Sequence, residues 1–200
     1  GKDPPVTEPS ILIASDSFKG SASSFRVAEL IERGIRRVFP RASVKQLAIA
    51  DGGEGTVDAV IAARNGEIRE VDVLGPLGDT VCARYGLFGR DCAIIEMAEA
   101  AGIALTARSR SHALRASSYG VGQLVVDALD YGVRHIYVGL GGSAPSDGGS
   151  GMAKALGVRF LNASEEDVAP GLAGLRDLAR IDLAGLDPRL ADADIVAITD

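Results

Sequence analysis

Three short segments of this sequence collect residue types that handle charge. Asp16-Ser17-Phe18-Lys19-Gly20 puts a carboxylate, a hydroxyl and an ammonium into one turn. Asp16 can orient or deprotonate a substrate hydroxyl there while Lys19 holds a carboxylate, although a solvated turn before a helix cap uses the same residues. Asp51-Gly52-Gly53-Glu54-Gly55-Thr56 pairs two carboxylates with glycines. The glycines let backbone approach a ligand closely and the acids can hold a divalent cation; a plain strand-to-helix turn with Thr56 as cap is the simpler reading. The richest segment runs from Gly139 to Gly151 and includes Gly141, Gly142, Ser143, Asp147, Gly148 and Gly149. Exposed N–H groups ahead of a helix are suited to phosphate.

Two known glycine-rich patterns bear on that third segment. Gly-Lys-Ser/Thr is missing, which disfavours a P-loop nucleotidase or kinase. Gly139, Gly141 and Ala144 meet a relaxed dinucleotide fingerprint, but the segment lies mid-chain and its acidic partner is supplied only ambiguously by Glu165 or Glu166. His112 and His135 have no nucleophile motif beside them, and structural or surface roles suit them better than catalysis.

The elements that must carry these loops follow from periodicity. Ile11-Leu12-Ile13-Ala14 reads as a strand buried on both faces. Val27, Leu30, Ile31, Ile35 and Val38 recur at helical spacing over 24–38, with Ser23 or Ser24 as N-cap and Pro40 as terminator. A second strand over 44–50 and a second helix bearing Val57, Val60 and Ile61 complete a βαβα order, which predicts a parallel, Rossmann-like sheet with ligands beyond its C-terminal strand ends. From Glu67 to Glu96 apolar and polar residues alternate between glycine-rich turns, as in an antiparallel meander. A helix over 120–131, a strand over 135–140, a helix to about 156 and a strand over 195–198 follow. The expected organisation is a leader over 1–10, the first part of a Rossmann-like domain over 11–70, and a second, inserted α/β domain over 71–200.

The 200 residues carry 21 Lys and Arg against 27 Asp and Glu, a formal charge of −6, with 4% aromatics and no Trp. That balance supplies neither a field for nucleic acid or anionic membrane nor stacking platforms for bases, and it favours small-molecule chemistry. Two cysteines without metal spacing, and the lack of an apolar targeting run, suggest a reducing, cytoplasmic setting. If residues 88–91 turn a hairpin, Cys82 and Cys92 can face each other across it, though free thiols are the default.

The chain resembles the bacterial glycerate kinase family that is unrelated to P-loop kinases. The matching text is Ser15-Asp16-Ser17-Phe18-Lys19-Gly20-Ser21, Ala50-Asp51-Gly52-Gly53-Glu54-Gly55-Thr56, Gly75-Pro76-Leu77-Gly78, Ile95-Glu96-Met97-Ala98, and Gly141-Gly142-Ser143 before Asp147-Gly148-Gly149, in that order. The resemblance implies ATP-dependent, Mg²⁺-assisted phosphorylation of D-glycerate, commonly to 2-phosphoglycerate, on an α/β Rossmann-like domain interrupted by a second one. Family chains are nearly twice as long, so a truncated chain is expected. Ala144-Pro145-Ser146 departs from the usual Ala-Thr-Asn, and Ala197-Ile198-Thr199-Asp200 from Ala-Cys-Asp. The implied roles are catalysis by Asp16 and Lys19, and substrate binding by Ser17, Asp51, Gly52, Gly53 and Glu54. Gly141, Gly142, Ser143, Asp147, Gly148 and Gly149 would bind nucleotide phosphates, with Asp147 and Asp200 as metal ligands. A non-catalytic anion-binding module is the alternative.

Overall fold

The structure is a computed structural model and describes residues 9–16, 18, 21–48 and 52–199. It divides into two compact units, Gly1–Ala50 and Asp51–Asp200. The first is a βαβ unit: strand β1 (Ser10–Ser15), helix α1 (Ser24–Val38) and strand β2 (Ser43–Ala48), with the strands parallel from Ser10 opposite Ser43 to Ser15 opposite Ala48. Strand β1 thus takes in Ser10, which the sequence had assigned to the leader.

Helix α1 begins where expected because the Ser23 hydroxyl accepts from the Arg26 N–H at 3.3 Å, satisfying a donor that the helix leaves orphaned. Its solvated face is laced by Glu29 with Arg26 and Arg33, and by Glu32 with Arg36. Ile13, Val27 and Ala28 are buried, whereas Leu12 is exposed. The expected burial of β1 on both faces is therefore half met: its apolar run alternates between a covered and an open face of a two-stranded sheet.

The second unit opens with helix α2 (Thr56–Arg64) and a meander of strands β3 (Glu67–Leu74), β4 (Thr80–Phe88) and β5 (Cys92–Glu96), antiparallel as their alternation predicts. Short helices α3 (Met97–Ala101) and α4 (Arg110–Arg115) lead to helix α5 (Tyr119–Asp130) and strand β6 (His135–Gly139), which joins β5 in parallel. Helix α6 (Ser150–Ala155), strand β7 (Arg159–Leu161), helix α7 (Leu172–Leu175) and strand β8 (Arg180–Asp182) form an excursion, and strand β9 (Asp194–Ile198) returns parallel to β6. The sheet order is β3-β4-β5-β6-β9, with β7 and β8 paired separately.

Successive residues of a strand point to opposite faces. In β4 the Tyr85 hydroxyl donates to Asp127 of α5 at 2.7 Å, while a Cβ on the neighbouring Gly86 would strike Ile61 of α2 at 2.5 Å. The sheet accordingly carries α5 on one face and α2 on the other, over a core that includes Val73, Tyr85, Ile95, Val121, Leu124 and Ile136. Helix α2 packs on β4 and β5 and so belongs to the second unit. The hairpin at 88–92 forms, but Cys82 stands opposite Asp72 and Cys92 opposite Phe88, so the thiols do not face each other and both are free.

Candidate functional site

Strands β5, β6 and β9 run parallel and end together: Gly139 is opposite Glu96 on one side and Ile198 on the other. Their C-terminal ends are where an α/β sheet presents ligands. Two glycine segments meet there. The Gly141 N–H donates to the Gly52 carbonyl at 2.9 Å, and the Leu140 N–H donates to the Ile198 carbonyl at 3.0 Å. The approach is too close for side chains. A Cβ on Gly139 would lie 2.5 Å from the Gly52 oxygen, one on Gly141 2.6 Å from the Gly53 Cα, and one on Gly52 2.5 Å from the Ile198 oxygen. Real Cβ atoms are not found that near, so these three positions need glycine to bring the 52–55 loop onto the strand ends.

Thr56 works differently from expectation. It is the first residue of α2, and its Oγ1 accepts from the Gly52 N–H at 3.1 Å, bracing the loop instead of capping the helix. Glu54 stands exposed in the same loop.

Glu96 closes β5 and is buried at 3% exposure, with Oε1 accepting the Val57 N–H from the first turn of α2 at 2.8 Å. Burial pushes its carboxyl up to about 7, helped by the like charges of Glu99 and Asp58 and opposed by the Val57 N–H and Arg84. Arg84 is itself clamped between Glu99 at 3.1 Å and Asp58 at 3.0 Å. The strand end thus holds a carboxyl that titrates near neutrality, the range in which acid–base groups are useful.

The loop after β6 is fixed at both ends and open between. Its start lies along residues 101–103, with Ile103 N–H donating to the Gly142 carbonyl at 2.9 Å and Ala144 N–H to the Ala101 carbonyl at 2.8 Å. Its end is organised by Asp147, 1% exposed, whose Oδ2 accepts from the Ser118 N–H at 2.8 Å, the Ser118 hydroxyl at 2.9 Å and the Gly151 N–H at 3.1 Å, while Oδ1 accepts from the Gly149 N–H at 3.1 Å. Ser118 passes the network on, accepting from the Met152 N–H at 2.9 Å. The N–H groups of Gly142, Ser143 and Gly148 have no protein acceptor among the described residues. Gly142, Gly148 and Gly149 take positive φ angles of 71°, 62° and 81°, which glycine adopts without strain.

Of the residues expected in a site, the structure brings together Gly52, Gly53, Gly141 and Gly142, with Ser143 next in line. Asp147, expected as a phosphate-binding residue and metal ligand, already accepts four hydrogen bonds, which clamp the loop. The Gly149 N–H, expected as an anion donor, is spent on that clamp. Among the described residues no group of three or more His, Cys, Asp or Glu is arranged to hold an ion. Asp16 follows β1 and is exposed; Ser17, Lys19, Asp51 and Asp200 lie outside the described residues. His112 accepts the Ala107 N–H at 3.1 Å, and His135 sits at the opposite end of β6 beside Asp194 at 3.1 Å.

Residues 11–200 match the Glycerate kinase family. The chain belongs to that family. It is 49% identical over 191 residues to a glycerate kinase of Halalkalibacterium halodurans, covering 95% of this chain and 50% of that protein. It is 45% identical over 186 residues to glycerate 2-kinase of Escherichia coli K12, covering 92% and 49%. The crystal structure of a candidate glycerate kinase 2 from Salmonella typhimurium LT2 superposes with a TM-score of 0.79 at 47% identity, over 96% of this chain and 51% of that one. The chain spans about half the length of the relatives it matches.

In this member of the glycerate kinase family, Glu96 and Ser118 are the site residues that sequence reasoning left unassigned. Glu96 had a signal, the Ile95-Glu96-Met97-Ala98 motif, an acid ending an otherwise apolar strand. Ser118 had none, since its partner Asp147 is 29 residues away.

Proposed function

We infer that the whole protein of which this sequence forms part is a glycerate kinase, transferring the terminal phosphoryl group of ATP to a hydroxyl of D-glycerate to give 2-phosphoglycerate. One observation carries the reading. Two glycine segments meet at the ends of parallel strands, and the N–H groups of Gly142, Ser143 and Gly148 lack protein acceptors among the described residues. Oriented amides of that kind stabilise the charge on a transferring phosphoryl group, and phosphoryl transfer depends on positioning and charge neutralisation more than on covalent chemistry by the protein.

In this scheme Asp16 orients the glycerate hydroxyl and takes its proton as the bond to phosphorus forms, and Lys19 neutralises the substrate carboxylate or the phosphoryl oxygens. Ser17, Asp51, Gly52, Gly53 and Glu54 border the glycerate; Gly141, Gly142, Ser143 and Gly148 meet the phosphates. Mg²⁺ accompanies ATP, and such ions are held by one or two carboxylates together with substrate phosphates instead of an all-protein cage. Asp200, Asp51 and Glu54 are the remaining carboxylates for that duty. The proposed setting is cytoplasmic; among the described residues no helix is long and apolar enough to cross a membrane.

The test is ADP release with D-glycerate, ATP and Mg²⁺, measured on this chain and on one extended to the relatives' full length, with the phosphorylated carbon located by ³¹P–¹H NMR. Turnover is expected in the extended chain, and Asp16→Asn there should lower it by on the order of 10²–10⁴-fold. No ADP release from either protein overturns the reading and leaves an anion-binding module; unchanged turnover in the Asn variant removes Asp16 from the chemistry.

A further inference from the structure

The second unit contains a cavity of about 640 Å³ that the site described above does not use. It opens between the Gly75–Gly78 turn, the link from α4 to α5, the start of α6 and the 168–171 segment. Its volume falls in the roughly 300–1,000 Å³ range of pockets that enclose a drug-sized ligand, far more space than a three-carbon acid occupies. Its walls are mainly apolar, from Leu74, Leu77 and Val168, with the ring of Phe160 among them. Two cations, Arg115 and Lys154, stand at the same cavity. Arg115 makes no ion pair among the described residues, and Lys154 reaches only Asp167, at 3.9 Å.

The walls are built in advance. The Ser117 N–H donates to the Pro76 carbonyl at 2.9 Å, fastening the turn to the α4–α5 link. Gly171, at a φ of 82°, lies so close to α4 that a Cβ would sit 2.6 Å from the Arg115 carbonyl carbon. A Cβ on Gly151 would sit 2.3 Å from the Ser117 hydroxyl. Ser150 and Gly151 belong to the cavity and directly follow Gly148 and Gly149, so cavity and glycine loop are continuous along the chain.

The geometry points to this cavity as the seat of the nucleoside of a purine nucleoside triphosphate, its base among Leu77, Val168 and Phe160 and its phosphates led by Lys154 and Arg115 toward Gly148. An apolar slot with an aromatic ring suits a flat base, and two cations with one weak ion pair between them suit a polyanion; a neutral apolar ligand would leave that charge unused. This rests on the kinase reading for the identity of the ligand, while the placement rests on the cavity alone.

Isothermal titration of the 200-residue chain and of its extended form with ATP, adenosine, tripolyphosphate and D-glycerate tests it. Ala173→Trp, which fills the cavity from α7, should weaken both ATP and adenosine on the order of tenfold or more and leave D-glycerate unchanged. Lys154→Glu, on an exposed side chain that threatens no fold, should weaken ATP and tripolyphosphate by a similar factor and leave adenosine within about twofold. ATP binding at wild-type affinity in both variants overturns the inference, as does a wild-type protein that binds no nucleotide. ADP release measured alongside separates the two ideas. Turnover with an unchanged KM for ATP in Ala173→Trp sinks the cavity and keeps the kinase; nucleotide binding lost in that variant without any turnover in the wild type keeps the cavity and sinks the kinase.

Discussion

Asp147 and Glu96 are both acids buried beside the same glycine-rich loop, and they are built in opposite ways. Among the described residues Asp147 is met by four donors, three of them backbone N–H groups, whereas Glu96 is met by a single N–H, from Val57, with Glu99 and Asp58 adding like charge nearby. The number of donors decides what a buried carboxylate is for. With its oxygens saturated, a carboxylate ties a loop to a helix; with one donor, burial dominates and Glu96 holds its proton up to about neutral pH.

The largest effect should come from replacing each acid by its amide, because the swap acts in opposite senses. Asp147→Asn turns an NH₂ group toward donors and takes the charge from the N–H groups of Ser118, Gly149 and Gly151. We expect a loss of about 4 kcal/mol in urea unfolding, the scale seen when one side of a buried charged network is removed. A loss under about 1 kcal/mol would mean that the clamp is water-exposed in solution and the contrast with Glu96 is empty.

Glu96→Gln keeps an oxygen to accept the Val57 N–H and abolishes the ionisation. In the wild type the folded-state carboxyl titrates near 7 against an ordinary value of 4.5, so the folded protein holds a proton that the unfolded chain has released between those two pH values. Stability from this group is then complete below about pH 4.5 and is lost as pH rises through 7, an expected decline of about 3 kcal/mol. The Gln variant should lack that decline, matching the wild type in acid and exceeding it at pH 8. Unfolding curves that stay parallel from pH 4.5 to 8 would show Glu96 to be ordinary.

Ser118→Ala probes the clamp from its other side with a smaller expected loss, about 2 kcal/mol, since one hydroxyl donor to Asp147 disappears and the Met152 N–H is left without its acceptor. Ser118→Thr, which restores the hydroxyl, should recover most of it if hydrogen bonding and not volume is responsible.

The contrast between the two acids also marks where sequence reading stops. Periodicity located α1, the β3–β5 meander and α5, because each is long enough to repeat its pattern. Short apolar runs located β6 and β9, though β9, whose run suggests a buried strand, is mostly exposed. Helices α3 and α4, with five and six residues, and strands β7 and β8, with three each, are too short to show a period and were not anticipated. At the site, residue types were legible and directions were not. The glycines that had to let backbone approach do so at Gly52, Gly139 and Gly141. Yet Asp147, which chemistry alone allows as a metal ligand, is turned inward by Ser118, and Glu96 acquires its character from burial, with its hydrogen-bond donor on Val57, 39 residues away. Such partners are set by the fold, and no local pattern carries them.

The smallest effects would resolve what sets the Glu96 titration. Burial is the main cause and cannot be removed without rebuilding the core, but the charges around it can be changed singly. Glu99→Gln takes away a neighbouring negative charge, which should favour the ionised form of Glu96 and move the midpoint of the stability decline to lower pH. Arg84→Gln takes away the positive charge that opposes the shift, and should move that midpoint upward. Each change is expected to be worth less than about 1 kcal/mol, because charges partly open to water interact through a high effective dielectric. The pair is informative through its signs. Opposite movements would show that Glu96 senses the Arg84 cluster, so that a ligand or metal altering the charge there would also alter its protonation; movement in the same direction would mean that each substitution acts by loosening the packing of α2 over β4 and β5, with charge playing no part.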